Sequence, residues 1–114
     1  MPTISKGRTP VTLINVFSVA PENQDSLIKL LTEVTGQSVR HHNGFISASL
    51  HRSVDGRKVT MYAQWASMED YNSMRRSPGP APALEKAFQM ATFDPGTYEV
   101  VEVFLPDEKQ TDLP

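Results

Sequence analysis

The 114-residue chain is long enough for one domain with a buried core, and its formal net charge of −2 comes without a basic run. This charge balance argues against electrostatic capture of nucleic acid or of an anionic membrane surface. The chain contains no cysteine, which excludes disulfides and thiol chemistry and permits the cytoplasmic location that we expect. No apolar stretch is long enough to span a bilayer, so we expect no membrane partner.

The composition divides the chain into three parts. Residues 1–10 are polar and bracketed by prolines, and we expect a flexible N-terminal arm there. Residues 11–105 carry the apolar patterns of a folded domain, and residues 106–114 form a polar C-terminal tail.

The first strand and the first helix follow from two apolar patterns. Val11–Val19 is rich in β-branched and aromatic residues, which predicts a strand. Its alternation places Leu13, Asn15, Phe17 and Val19 on one face, with Ile14 and Val16 on the other. Glu22–His42 is predicted as a long helix that ends at Asn43-Gly44. Its buried stripe, at the spacing i, i+3, i+4, i+7, is Leu27, Leu30, Leu31 and Val34.

Phe45–Ser53 and Lys58–Trp65 are predicted to pair as an antiparallel hairpin, because Asp55-Gly56 between them is a strong turn signal. Alternation in the first of these strands groups Phe45, Ser47, Ser49 and His51 on one face, with Ile46, Ala48 and Leu50 on the other. The second strand ends at the single tryptophan, Trp65, whose face also carries Val59, Met61 and Ala63.

The remaining elements are a split helix and a last strand. Ser67 followed by Asp70 is a capping-box type signal for a helix that carries Tyr71 and Met74. The segment RRSPGPAP ends this helix, and Pro82 fits the first turn of another one with Leu84, Ala87, Phe88 and Ala91 in one stripe. Asp94-Pro95-Gly96 is predicted as a turn and Tyr98–Leu105 as the last strand.

The order β-α-β-β-α-β predicts an α+β, ferredoxin-like domain, with a four-stranded antiparallel sheet and its helices on one face. The other face of the sheet would then expose an apolar set consisting of Ile14, Val16, Ile46, Ala48 and Leu50, with Val101 and Val103 as further candidates. Because an apolar face of this extent usually marks an interface, we expect a homodimer packed sheet to sheet.

Four segments of the chain resemble the antibiotic biosynthesis monooxygenase domain family, of dimeric α+β barrel fold. They are LINVF, GFISASLHRS followed by DG, YAQW followed by Tyr71, and ATFDPGTYEVVEV, within residues 12–103. The resemblance implies a small cofactor-independent monooxygenase that oxidises a polycyclic aromatic, anthrone- or naphthol-like polyketide intermediate. Its partners would be that small aromatic substrate and O2, with no metal or prosthetic group. A haem-degrading branch has a histidine on the later helix, and residues 68–90 contain none.

The resemblance also implies four catalytic residues. Asn15 would donate its amide to an enolate oxygen, and Trp65 would form a stacking wall. Tyr71 would hydrogen-bond the substrate oxygens or pass a proton, and His51 would act as the base. The chain departs from the family at two positions. Met61 stands where the quinone-forming members have an asparagine, and ALEKAFQM contains no counterpart of the arginine that they use from the last helix region.

The pocket of this hypothesis would be lined by substrate-binding side chains, namely Phe17, Phe45, Ser47, Ser49, Met61, Met74 and Phe88. Each polar candidate also has a purely structural interpretation, as a core or rim residue. The three histidines lack a metal-ligand spacing, so no metal site is expected. Two other functions remain open: a non-redox polyketide cyclase or isomerase, and a ligand-binding accessory protein without catalysis.

Overall fold

The sheet has the strand order β2-β3-β1-β4, and all three pairings between neighbouring strands are antiparallel. This computed structural model describes residues 10–107, so the predicted arm up to residue 9 and the tail from residue 108 lie outside the described residues. The elements are β1 (Val11–Ser18), α1 (Gln24–Gln37), β2 (Phe45–Arg52), β3 (Lys58–Trp65), α2 (Met68–Arg76), α3 (Ala81–Met90) and β4 (Thr92–Tyr98), with 3-10 turns at Pro21–Asn23 and Val39–His41. The ferredoxin-like, α+β prediction is therefore confirmed.

The core lies between the sheet and the three helices. Around Trp65 are packed Leu13, Val34, Val39, Ala63, Tyr71 and Met74, and a second cluster contains Phe17, Leu27, Leu31, Val59 and Ala87. The faces predicted for β1 and β3 are confirmed, because their apolar sets point into this core. Full burial of one such side chain contributes roughly 1.5–3 kcal/mol to folding, so these two strands fix the sheet against the helices.

The first helix is shorter than its predicted range. Helix α1 ends at Gln37, and Ser38 leaves the helical conformation with φ −134° and ψ −62°. Gly36 has a low helix propensity, and it precedes the end by one residue. The chain then forms the 3-10 turn that buries Val39 against the Trp65 cluster. The early end of α1 therefore supplies a core residue that a continued helix would not place there.

The connection between β2 and β3 is an antiparallel hairpin, as predicted, but its loop spans five residues, Ser53–Arg57. The Ser53 hydroxyl accepts hydrogen bonds from the amides of Arg57 and Lys58, at 3.2 and 2.8 Å. The Asp55 carboxylate accepts from the same Ser53 hydroxyl at 2.7 Å and from the Arg57 amide at 3.0 Å. These bonds, that from Ser53 first, lower the pKa of Asp55 below its ordinary value.

Strand β2 does not present the faces that simple alternation predicts. Its register with β3 shifts between Phe45 and Ser47, so that Ile46 is an extra residue at a β-bulge. Beyond the bulge every side chain changes face, and Ala48 and Leu50 pack toward the core. The predicted placement of Ala48 and Leu50 on the open face is therefore wrong. The residues on the open face are instead Ser47, Ser49 and His51.

The last strand is also displaced from its predicted position. Strand β4 begins at Thr92 and includes Asp94-Pro95-Gly96, which the sequence predicts as a turn. It pairs with β1 along one side only, and an edge position tolerates Pro95, which has no amide hydrogen. Residues 99–107, which contain most of the predicted strand, have no regular structure and are exposed.

Candidate functional site

Three polar or aromatic side chains from different elements meet on the helix-covered side of the sheet. Asn15 lies in the middle of β1, Trp65 ends β3, and Tyr71 lies in α2. The Asn15 amide nitrogen donates to the Tyr71 hydroxyl at 3.2 Å. Both side chains are buried, at 7% and 9% exposure. The N-terminal cap of α2 fixes the position of Tyr71, because the Ser67 hydroxyl accepts from the Asp70 amide at 3.1 Å at the helix start.

The carboxamide of Asn15 is only half satisfied. Its Oδ1 is buried and has no hydrogen-bond partner, the single such side-chain atom among residues 10–107. An unpaired buried polar atom costs roughly 1–3 kcal/mol. Rotating the amide exchanges its two ends, so that the unpaired position can hold either an acceptor or a donor. One end of the Asn15 amide is therefore held by Tyr71, and the other end is free to bind a polar group of a ligand.

Trp65 is almost fully buried, at 1% exposure. Its ring packs edge-to-face with two other aromatic rings, that of Phe45 at a centroid distance of 5.4 Å and that of Tyr71 at 5.8 Å. Edge-to-face pairs at such distances contribute about 0.5–1.5 kcal/mol beyond their buried area. The indole is thus held rigidly beside the Asn15–Tyr71 pair.

These groups border a partly open cavity of about 60 Å³, here called the chamber. Its other lining residues are Phe17, Leu31, Thr35, Val39, Phe45, Ala48, Met61, Ala63, Met74, Arg75, Leu84, Phe88 and Phe93. A space of this size holds no more than a few water molecules. A multi-ring ligand therefore requires some of these side chains to move.

A wider groove of about 500 Å³ runs between α1 and β2. It shares with the chamber the wall formed by Leu31, Thr35, Phe45, Ala48 and Met61. Of these, Met61 is the most adaptable, because an unbranched thioether chain changes rotamer easily. Movement of this wall would join the two spaces, which together fall in the ~300–1,000 Å³ range of small-molecule sites.

The structure brings most of the sequence-predicted site residues together and leaves three outside. Asn15, Trp65 and Tyr71 border the chamber, as do the five predicted apolar residues Phe17, Phe45, Met61, Met74 and Phe88. Ser47, Ser49 and His51 are exposed on the opposite face of the sheet, because the bulge at Ile46 reverses their direction. There the His51 Nε2 lies 3.0 Å from the Ser49 hydroxyl oxygen. None of the three is among the residues that line the chamber, whereas Ser47, on the edge strand β2, borders the groove between α1 and β2. The prediction that Ser49 and His51 face the pocket is wrong.

Sequence reasoning missed Arg75, which lines the chamber from α2. Its guanidinium carbon lies 5.7 Å from the ring centroid of Tyr71, 5.4 Å from that of Phe88 and 5.8 Å from that of Phe93. The available signal was its position four residues after Tyr71, which places both side chains on one helix face. Without the structure, the last turn of a helix is a sufficient explanation of the pair Arg75-Arg76, because basic side chains there interact favourably with the helix dipole.

No group of three or more metal-ligating side chains is found among residues 10–107. In the same range, no helix combines the length and the apolar character that crossing a membrane requires.

Fold and site together define a small α+β domain with a mainly apolar chamber, in which an amide, a phenol and an indole are held beside one another. The chain belongs to the antibiotic biosynthesis monooxygenase family, whose sequence model matches residues 10–86.

The comparisons with individual proteins agree with this membership. The chain is 40% identical over 104 residues to the tetracenomycin-F1 monooxygenase of Streptomyces glaucescens, covering 91% of this chain and 93% of that protein. The crystal structure of SnoaB from Streptomyces nogalater, described as a cofactor-independent oxygenase, superposes with a TM-score of 0.66 at 20% identity, over 87% of this chain and 99% of that one. A putative antibiotic biosynthesis monooxygenase from Nitrosomonas europaea gives a TM-score of 0.73 at 12% identity, over 85% and 95% of the two chains. At these identities the two solved structures support the fold alone.

Proposed function

We propose that this protein is a cofactor-independent monooxygenase that oxidises a polycyclic aromatic, anthrone- or naphthol-like polyketide intermediate with O2. The 40% identity to tetracenomycin-F1 monooxygenase supports this substrate class. The single observation in the structure that carries the proposal is the Asn15–Tyr71 hydrogen bond beside Trp65, with one buried amide atom left free. The free atom is Oδ1, which can accept from a phenolic O–H, and rotation of the amide would instead present the Nδ2 donor to a phenolate oxygen.

In the proposed reaction the substrate supplies the electrons. A ring phenol loses its proton, and the anion transfers one electron to O2, giving a substrate radical and superoxide. The two radicals combine at the activated ring carbon to give a peroxide anion, which takes back one proton from the solvent. The protonated peroxide then loses water as that carbon loses its hydrogen. For an anthrone, the net change converts one CH2 to a carbonyl, and the second oxygen atom of O2 leaves as water.

The described residues have definite tasks in this scheme. Asn15 and Tyr71 hydrogen-bond the substrate oxygen, which carries negative charge at the first step, and one well-aimed donor contributes roughly 3 kcal/mol to a transition state. Trp65 forms the wall against which a flat ring packs. The apolar lining keeps water from the peroxide and from the radical pair. The larger part of the substrate would occupy the groove between α1 and β2.

We also propose that the protein acts as a homodimer. The open face of the sheet carries Ile14 and Val16, together with Tyr62 and Tyr98, which are 40% and 53% exposed. Beyond β4 the chain continues with Val101, Val103, Phe104 and Leu105, all at least 65% exposed. A second copy would cover both surfaces. A domain comprising residues 11–105 and a cytoplasmic location stay predictions of the sequence.

Oxygen uptake by metal-free protein tests the proposed reaction. With anthrone as substrate and without added flavin, we expect uptake of one O2 per anthraquinone formed, and no turnover under nitrogen. Turnover under nitrogen would instead indicate a cyclase or isomerase. Binding of phenolic tricycles without uptake, across a panel of them, would contradict the monooxygenase and leave a binding protein.

A further inference from the structure

The proposed reaction requires a phenol to lose its proton in the chamber. The described residues that line it include no carboxylate, imidazole or amine, so no side chain of that kind is available to remove a phenolic proton. His51, the base that the resemblance implies, lies on the other side of the sheet. Ionisation of a phenol in this chamber must therefore be favoured by stabilising the anion. The charge available for this purpose in the described lining is that of Arg75.

Arg75 is positioned as an anion-binding group. It lies half-buried in the last turn of α2, among the rings of Tyr71, Phe88 and Phe93. A guanidinium that packs its flat face against aromatic rings keeps the N–H groups at its edge free for an anion. Because arginine stays protonated at every accessible pH, it acts as a fixed positive charge.

The charge of Arg75 is not neutralised by a neighbouring carboxylate. Among residues 10–107 the one side-chain ion pair joins Arg52 to Asp25, far along the chain from Arg75. Glu85 on α3 borders the same outer depression as Arg75, and the two form no ion pair. The depression, of about 310 Å³, lies between α2 and α3, and Arg75, Leu84 and Phe88 separate it from the chamber.

A structural role alone would also place a cation near this helix end. Basic side chains in the last turn interact favourably with the helix dipole. Arg76 has this role as well, but it is exposed and borders only the outer depression. The two neighbouring arginines thus share the helix end and differ in access to the chamber, which makes Arg76 the matched control.

We propose that Arg75 is the residue that binds the substrate as its phenolate, and so selects phenols that ionise in the chamber. This proposal rests on the proposed function, because that reaction begins from the anion. The phenolic proton passes to the solvent buffer on binding, and the guanidinium keeps its own protons. Arg75 would thereby supply the charge stabilisation that a side-chain base cannot supply here.

The test is a spectrophotometric titration of bound 1-naphthol under nitrogen, in which absorbance distinguishes phenol from phenolate. An opposite charge at contact distance raises an acid dissociation constant by about tenfold or more. We expect wild type and Arg76→Gln to show this rise, Arg75→Gln to lose it, and Arg75→Lys to keep part of it. As a second ligand, the non-ionisable 1-methoxynaphthalene should bind equally to wild type and Arg75→Gln, which a collapsed chamber would prevent.

The results that overturn the proposal are equally specific. It fails if wild type binds no naphthol, if wild type does not favour the phenolate, if Arg75→Gln titrates like wild type, or if Arg76→Gln loses the effect to the same extent. Should Arg75→Gln not fold, the uncharged Arg75→Met takes its place in the same titration, with the same loss expected. Because no turnover is measured, this outcome is separate from that of the uptake experiment. A naphthol bound as phenolate, together with no O2 uptake across the panel of phenolic tricycles, would contradict the monooxygenase and leave the role of Arg75 standing.

Discussion

The burial and incomplete hydrogen bonding of Asn15 favour a functional role over a purely structural one. Strands disfavour asparagine, and this one is buried with only one of its two amide ends paired. Alternation placed Asn15 and Trp65 on the core faces of their strands, and the resemblance to the family implied that these two residues and Tyr71 share one site. The sequence was insufficient for Arg75, since an arginine at a helix end has an adequate explanation without a chamber beside it.

Replacing Asn15 with alanine tests the amide directly. We expect Asn15→Ala to lower kcat for oxygen uptake by about 100-fold, which corresponds to roughly 3 kcal/mol of lost stabilisation of the anion. The control is Asn23→Ala, because Asn23 is exposed and its side chain caps no helix. Equal kcat for wild type and Asn15→Ala would show that the amide only packs.

Replacing His51 with alanine should, in contrast to Asn15→Ala, leave the activity nearly unchanged. The His51 ring lies on the open face and contacts Ser49, so the chamber has no access to it. We expect His51→Ala to keep kcat within about twofold of wild type and to leave the acid limb of the pH–rate profile unchanged. If His51→Ala instead matches the loss in Asn15→Ala, then His51 acts as the base despite its position, and the anion-binding role of Arg75 becomes unnecessary.

At the scale of elements, the accuracy of prediction followed the strength of the local signal. The capped helix α2, the hairpin and the proline-rich break before α3 each have turn or cap residues that specify them. The bulge at Ile46 has no such residue, and a shift of one position reverses a whole strand. The last strand was predicted at Tyr98–Leu105, but the segment that directly follows α3, Thr92–Tyr98, pairs with the free edge of β1 and forms β4. That outcome depends on tertiary pairing, which alternation does not encode.

The turn before β2 depends on glycine. Gly44 has φ +85°, and a Cβ there would clash with the Asp70 side chain. Its carbonyl accepts from the Ala66 amide at 2.7 Å, which joins the start of β2 to the end of β3. We expect Gly44→Ala to reduce the free energy of unfolding by at least about 1–2 kcal/mol, measured by urea denaturation.

The matched control is Gly36→Ala in the last turn of α1, where an added Cβ meets nothing within 4 Å. Alanine has a higher helix propensity than glycine, so this variant should gain up to about 1 kcal/mol. Equal effects of the two substitutions would contradict the conformational requirement at Gly44.

At the scale of the whole molecule, the open sheet face and the C-terminal segment of residues 99–105 both expose apolar side chains to solvent. The segment YEVVEVFL has strong strand propensity, yet after Tyr98 it pairs with no strand of its own sheet. Unpaired strand-like segments with exposed apolar side chains are hazards for uncontrolled association. A closed, two-fold homodimer resolves the problem, because each copy covers the apolar surfaces of the other.

Sedimentation velocity at micromolar concentration tests this assembly. We expect the full chain to be a dimer, and the double variant Val103→Glu/Phe104→Glu to dissociate at least about tenfold more readily, since two charges would have to be desolvated in the interface. The control is Val54→Glu, which adds a charge at a fully exposed apolar residue in the β2–β3 loop, outside both surfaces. We expect Val54→Glu to sediment as the wild type does. A monomeric wild type, or equal dissociation of the two variants, would contradict the homodimer and leave the chamber, which lies within one subunit, unaffected.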